Sequence, residues 1–317
     1  MTTKAEQSSA RSSTNVAAQA AVDALAATLG SRAGRDVVLA QFTAMRVGGP
    51  ADLLVVAESV DELLDAVGAA GRYGVPWRVL GAGCNVLVAD HGLRGLVIIN
   101  RAASVSFEQN GVRADAGTKL APLARRTVNR AMAGLDWATG LPGTVGGAVV
   151  GNAGAFGGDV AGTLQSATVL EPNGEIVERG NGWFAFEYRS SRLKREPDSG
   201  RVVLAATFGL EPADPGVLNA RAEEVMRWRR SHHPLGATMG STFKNPPGHY
   251  AGQLIEEAGL KGYRVGGAQV SEQHANFLVN TGDASAEDVL ALIGHIRAEV
   301  ERQSGVGLTL EIELLGW

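Results

Sequence analysis

Eight of the nineteen residues from Gly140 to Gly158 are glycine, and only Pro142 is proline. Glycine tolerates positive φ and lets another backbone or a ligand approach closely, but it weakens helix and strand interiors. So dense a run cannot be one long regular element. A purely structural loop rarely needs so many small positions, whereas an extended ligand laid against main chain does. Thr144 and Asn152 supply polar side chains within it. A shorter cluster, Gly81-Ala82-Gly83-Cys84-Asn85, sits between the apolar runs Val75–Leu80 and Val86–Val88, which read as strands. Alone it reads first as a strand-to-strand turn and second as a nest of N–H groups for an anion. It is not the dinucleotide fingerprint of a doubly wound fold, because Val86 stands in place of the third glycine and a strand follows instead of a helix.

Glycine reaches 42 of 317 residues against an average usage of about 7 %, with only 11 prolines, so the excess does not mark a disordered Pro/Gly chain. Hydrophobic residues at 45 % and charged ones at 20 % are ordinary for a globular protein, and the length suggests two domains. A net charge of −4 offers no basic surface for nucleic acid. Apolar runs such as Leu96–Ile99 fall far short of the ~18 residues a membrane span needs. Asp23 interrupts the only apolar stretch near the N-terminus, so no secretory signal is expected. Cys84 is the only cysteine and cannot form an internal disulfide, which favours a reducing, cytoplasmic setting. Without His-x3-His or Cys-x2-Cys spacing, no metal site is expected.

Residues 1–33 read as a mobile tail, with one Ala-rich helix near 16–29. Leu53–Val56 reads as a buried strand. Ser59 and Glu62 form a capping box for a helix that Gly71 or Gly74 ends. A helix is predicted over Lys119–Met132, with Pro122 in its first turn. Short alternating runs from 167 to 210 and the Asn173-Gly174 turn predict antiparallel hairpins. Helices are expected up to about Arg230, over Gly252–Gly259 and over Asp283–Arg302, the last capped by Ser285 and Asp288. Leu308–Leu315 closes the chain as a strand with Glu311 and Glu313 on one face. The fold class is α+β, with domains at 34–212 and 213–317.

The segments Arg46–Asp52, Gly81–Val88, 140–158, Tyr188–Ser191, Gly240–Pro246 and Ala251–Gly262 stand in one order. Together they resemble the MurB family, UDP-N-acetylenolpyruvoylglucosamine reductases, from about residue 40 to 317. The resemblance implies a PCMH-type FAD-binding domain followed by a smaller α/β substrate-binding domain. It also implies a flavoenzyme of bacterial peptidoglycan synthesis. NADPH reduces non-covalent FAD, and flavin N5 delivers hydride to C3 of UDP-N-acetylglucosamine enolpyruvate, giving UDP-N-acetylmuramate. Both reaction partners are small molecules, and the chain is expected to be a monomer.

Hydride addition to C3 builds negative charge on the substrate carboxylate and leaves C2 to be protonated, which calls for fixed cations or donors and a proton source. By the resemblance, Arg189 forks onto the carboxylate, Ser241 protonates C2, and Glu313 stabilises the enolate. Glu311 is the competitor for that last role. Its carboxyl would need a pKa raised by burial. The resemblance gives FAD to Gly81, Ala82, Gly83, Cys84, Asn85, Val86, Pro142, Gly143, Thr144, Gly146, Gly147, Asn152 and Gly154. It gives the substrate to Tyr188, His232, Lys244, Asn245 and His274. The basic run Arg227, Arg229, Arg230, His232 and His233 is either a solvated helix end or a diphosphate contact. Two departures stand out: Cys84 replaces the usual Ser, and His232 stands where relatives often carry Lys. With no Tyr between Arg189 and Ser241, the chain resembles the shorter subclass without a tyrosine loop. Rival readings are an O2-using flavin oxidase tethered through Cys84 and a non-catalytic UDP-sugar binder.

Overall fold

The structure, a computed structural model, describes residues 4–317, with side chains from residue 17 onward. Residues 1–3 of the expected tail lie outside the described residues. Helix α1 (Lys4–Leu29) precedes strands β1 (Gly34–Val38) and β2 (Pro50–Ala57), helix α2 (Val60–Tyr73), and strands β3 (Trp77–Leu80), β4 (Val86–Val88) and β5 (Leu93–Asn100). Ser59 caps α2 by accepting the Glu62 N–H at 3.2 Å, while Glu62 turns back to the Glu58 N–H. Gly74 ends the helix at φ 63, donating to the Ala70 and Gly71 carbonyls. Four strands form a mixed sheet in the order β1-β2-β5-β3, with β2 and β3 parallel to β5. β5 is buried from Gly95 to Asn100, as a parallel strand covered on both faces must be.

A second sheet follows. The chain here runs through β6 (Val105–Glu108), β7 (Gly111–Asp115), α3 (Leu120–Val128), β8 (Met132–Ala133), α4 (Val145–Gly151), β9 (Gly154–Ala155), β10 (Gly158–Asp159), α5 (Val160–Thr163), β11 (Leu164–Leu170), β12 (Ile176–Gly180), α6 (Arg192–Arg195), β13 (Val202–Gly209) and β14 (Glu211–Pro212). The antiparallel order is β12-β11-β13-β7-β6, with α3 and α4 contributing to its core. The helix predicted to Met132 stops at Val128: Ala131 takes φ 57 and donates to Val128 O, releasing Met132–Ala133 to pair with Glu211–Pro212.

The remaining elements are α7 (Pro215–His232), β15 (Ala237–Ser241), α8 (Ala251–Glu257), β16 (Arg264–Val265), β17 (Ala268–Val270), β18 (Phe277–Asn280), α9 (Ala286–Ser304) and β19 (Glu313–Leu315). The sheet β15-β18-β17-β16 packs with α8 and α9 around Leu254, Ile255, Val289, Leu292, Ile293 and Ile296.

Three features depart from the sequence reading. The Ala-rich helix expected near 16–29 lies within the longer α1, and its 17–29 portion, read as part of a tail, buries Val22, Leu25 and Leu29 in one core with Leu63 and Ala66 of α2. α7, expected to open the second domain, turns Leu218 and Ala222 onto Val128 of α3, and Arg221 pairs with Asp136 at 3.0 Å. The final strand keeps regular pairing only over β19, which runs parallel to β4 and so joins the chain's last residues to the first sheet region.

Candidate active site

A cleft of about 1820 Å³ is lined by both glycine segments, Arg189, Ser241, Glu311 and Glu313. Ligand sites usually run to ~300–1,000 Å³, so this one has room for two sizeable molecules. The glycine segments touch: a Cβ on Gly81 would lie 2.2 Å from Thr144 Oγ1. Gly83, at φ 60, brings its main chain against Phe42, where a Cβ would meet the carbonyl at 2.1 Å. Among the described residues, the N–H groups of Ala82, Gly83, Cys84 and Asn85 find no protein acceptor, which leaves a row of donors on the cleft wall. On the second segment, a Cβ on Gly143 or Gly151 would meet nothing within 4 Å. Such a glycine-walled cradle with unspent N–H groups fits the diphosphate and flat rings of a dinucleotide.

Of the residues read as coenzyme contacts, all but Asn152 line this cleft. Asn152 is buried, its Nδ2 donating to Glu187 O at 2.9 Å and its Oδ1 accepting the Ala161 N–H at 3.0 Å. With φ 44 it caps α4, and each end of its amide is bonded within the fold. Burial pushes the Cys84 thiol up, although Lys119 opposes it, so Cys84 lacks the thiolate character of a reactive cysteine.

Arg189 stands at φ 54, a left-handed conformation that side-chain-bearing residues rarely take. Its Nε lies 3.0 Å from Glu311 Oε1, an ion pair in which the N–H is not aimed well enough to count as a hydrogen bond. The Glu311 side chain keeps 17 % exposure and that of Glu313 39 %; Glu313 reaches only Arg78, at 4.0 Å. Burial pushes the Glu311 carboxyl up, against the lowering pull of Arg189, Lys194 and Lys244. Of the two glutamates, Glu311 is thus the one whose carboxyl burial raises. Glu313 differs in depth and partner: β19 begins at Glu313, whose side chain lies at Arg78, while the irregular stretch before it lies against 242–244.

Ser241 ends β15 after Gly240, whose φ is 77. The Glu311 N–H donates to Thr242 O at 2.9 Å, which seats Glu311 one residue from Ser241. Among the substrate candidates, Asn245 and His274 line the cleft, and the Asn245 Oδ1 accepts the Ala251 N–H. Tyr188 and Lys244 lie outside the lining, though Lys244 is close enough to act on the charges of Lys194 and Glu311. His232 is also outside it: the ring stacks on exposed Trp228 at 4.4 Å, and His233, one residue on, faces the cleft instead. Burial pushes His233 down to about 4, helped by Arg229, His274 and His232. His274 is pushed down by burial as well, so both rings are neutral acceptors or donors. Within the basic run, Arg229 and Arg230 line the cleft and Arg227 does not.

Sequence reasoning missed Lys194, a cleft residue one helical turn past Ser191. The signal was Ser191 itself, which caps α6 by accepting the Lys194 N–H at 3.3 Å. Among the described residues, no three His, Cys, Asp or Glu side chains are placed to hold a metal ion, and no helix is long and apolar enough to cross a membrane.

Residues 51–180 match the family model "FAD binding domain", and residues 232–315 match "UDP-N-acetylenolpyruvoylglucosamine reductase, C-terminal domain". UDP-N-acetylenolpyruvoylglucosamine reductase 2 of Symbiobacterium thermophilum is 43 % identical over 281 residues, covering 88 % of this chain and 90 % of that protein. The reductase of Rubrobacter xylanophilus is 44 % identical over 283 residues, with 89 % and 94 % covered. The crystal structure of the Thermus caldophilus reductase aligns with a TM-score of 0.77 at 36 % identity, over 89 % of this chain and 98 % of that one.

Proposed function

Because the chain belongs to the UDP-N-acetylenolpyruvoylglucosamine reductase family, whose members are FAD-binding oxidoreductases, we propose that it reduces UDP-N-acetylglucosamine enolpyruvate to UDP-N-acetylmuramate. NADPH is the electron source, and the step belongs to bacterial peptidoglycan synthesis. The observation that carries this reading is the meeting of the two glycine segments with Arg189, Ser241 and Glu311 on one cleft. FAD, when bound, supplies the hydride that adds to C3 of the enolpyruvyl group.

The residues that would hold FAD are the backbone donors of 82–85 and the glycine wall from Pro142 to Gly147, with Gly154 beyond. Arg189 presents a cation to the substrate carboxylate, where charge grows as the double bond is reduced. In the free protein that cation is shared with Glu311. A substrate carboxylate brings a second negative charge to one guanidinium, and two carboxylates so placed cannot both stay ionised cheaply. Burial already favours the protonated form of Glu311, so this group takes up the proton and becomes a hydrogen-bond donor to the enolate. Ser241 gives its hydroxyl proton to C2, completing the addition of H⁻ and H⁺ across the double bond. His274, Asn245 and the Arg229–Arg230 helix end supply polar contacts for the rest of the nucleotide sugar.

The test is an anaerobic titration of the FAD-loaded protein. NADPH should bleach the flavin band, and the enolpyruvyl sugar should restore it with one equivalent of UDP-N-acetylmuramate formed. A protein that binds no flavin, or a reduced flavin that the sugar cannot reoxidise, overturns the reading.

A further inference from the structure

Outside the residues given chemical roles, one main-chain atom near the reaction centre is held in an unusual way. The Glu311 carbonyl has no main-chain donor, because the stretch before β19 is not in a regular ladder. Two side chains take its place: Lys194 Nζ donates to it at 2.8 Å and Asn85 Nδ2 at 3.2 Å. A carbonyl oxygen has two lone pairs, and both are used.

The two donors come from different walls of the cleft. Asn85 closes the first glycine loop, and its own carbonyl accepts the Glu313 N–H at 2.9 Å. Lys194 is anchored to the second: Ser191 caps its helix and donates through Oγ to Val150 O, within α4, at 2.7 Å. The same Tyr188–Lys194 stretch thus grips Glu311 at both ends, with Arg189 on the carboxylate and Lys194 on the carbonyl.

We propose that Lys194 is a positioning residue for the reduction: with Asn85 it fixes the Glu311 main chain to both coenzyme walls. The proposal rests on the reductase reading and deepens it. A half-buried ammonium is costly to maintain, and burial with the neighbouring Lys244 pulls the Lys194 proton affinity down while Glu311 and Glu313 hold it up. The charged groups facing Glu311 are Arg189, Lys194 and Lys244; Glu313, two residues on, lies beside Arg78. Removing the Lys194 charge takes away one cation that favours the Glu311 carboxylate, so Glu311 should titrate at higher pH.

The experiment measures both half-reactions of the FAD-loaded full chain, as a function of pH, for the parent, Lys194→Met and Lys194→Arg. Lys194→Met should be reduced by NADPH within about twofold of the parent rate, since Glu311 takes no part in that step. Its reoxidation by the enolpyruvyl sugar should slow by on the order of 10²-fold, the loss a misplaced reacting group brings. The pH limb of reoxidation should move upward, and Lys194→Arg should return it toward the parent position. If Lys194→Met fails to retain FAD, Lys194→Gln, which drops the charge but keeps a donor, is expected to move the limb in the same direction. An equal slowing of both half-reactions, or an unmoved limb with an active parent, overturns the role of Lys194 alone. A parent that the sugar cannot reoxidise overturns the reductase reading, and this role with it.

Discussion

Arg189 approaches Glu311 to 3.0 Å from a backbone at φ 54. Left-handed conformations cost side-chain-bearing residues on the order of 1–3 kcal/mol and persist where surrounding structure enforces them. The enforcement here is visible: Glu187 and Ser190 exchange main-chain hydrogen bonds across Tyr188 and Arg189, and Ser191 is fully buried. The strained turn thus holds the Arg189 guanidinium beside the half-buried Glu311 carboxylate.

The unequal depth of the two C-terminal glutamates predicts unequal effects on the proposed reduction. Glu311→Gln should slow flavin reoxidation by the substrate by roughly 10²–10⁴-fold, the range that general acid groups supply. Glu313→Gln should stay within about tenfold of the parent. Stopped-flow absorbance of the two variants decides the matter, and the opposite ranking would return the role to Glu313.

The contact between the glycine segments makes a binding prediction. On Gly81 a methyl group would strike Thr144 at 2.2 Å, forcing the two walls apart. Gly81→Ala should therefore weaken FAD binding by about tenfold or more, about 1.4 kcal/mol. Gly182→Ala, where a Cβ meets nothing within 4 Å, should leave it unchanged. Quenching of flavin fluorescence on titration into apoprotein reports both, and equal affinities for parent and Gly81→Ala would show that the walls do not set the cradle.

His233 ties stability to pH. Its ordinary value of 6.5 falls to about 4 in the folded chain, with burial as the main cause. The unfolded chain takes up this proton first as pH falls, so His233 supports the folded state above pH 6.5, and that support is lost as pH falls toward about 4. In His233→Gln this part of the pH dependence should vanish. Urea midpoints measured across the window would show it as a shallower slope, and parallel curves for parent and variant would sink the assignment.

Local chemistry made much of this molecule legible in advance. Ser59 and Gly74 bracket α2, and Ser285 with Asp288 forms the box that starts α9, because each device is complete within a few residues. The density of glycine in 140–158 likewise pointed to a surface open to a ligand, and that segment lines the cleft together with 81–85. What stayed hidden depends on distant partners. α3 ends early because Met132–Ala133 pairs with residues almost eighty positions later, and the 17–29 helix is ordered by α2. Asn152 looked like a ligand contact but spends its amide on Glu187 and Ala161. Period-two alternation put Glu311 and Glu313 on one face, yet it could not say which would meet Arg189, since depth is set by Thr242 and Asn85.

Asp90 follows β4, and its carboxylate takes the Ala286 N–H at 2.8 Å and the Glu287 N–H at 3.0 Å. The first-turn amides of a helix have no partner within it and carry the positive end of its dipole. Ser285 satisfies the amide of Asp288, so Asp90 completes the N-terminus of α9 from another part of the chain. It thereby fastens the helix against the strand that leads out of the first glycine loop. Asp90→Ala should cost about 1 kcal/mol, as the loss of a capping acceptor does. The urea midpoint should fall with an unchanged slope, because the surface exposed on unfolding stays the same. Asp90→Asn keeps one acceptor oxygen and should lose less. A midpoint for Asp90→Ala equal to that of the parent would mean that solvent serves those two amides as well as the carboxylate does.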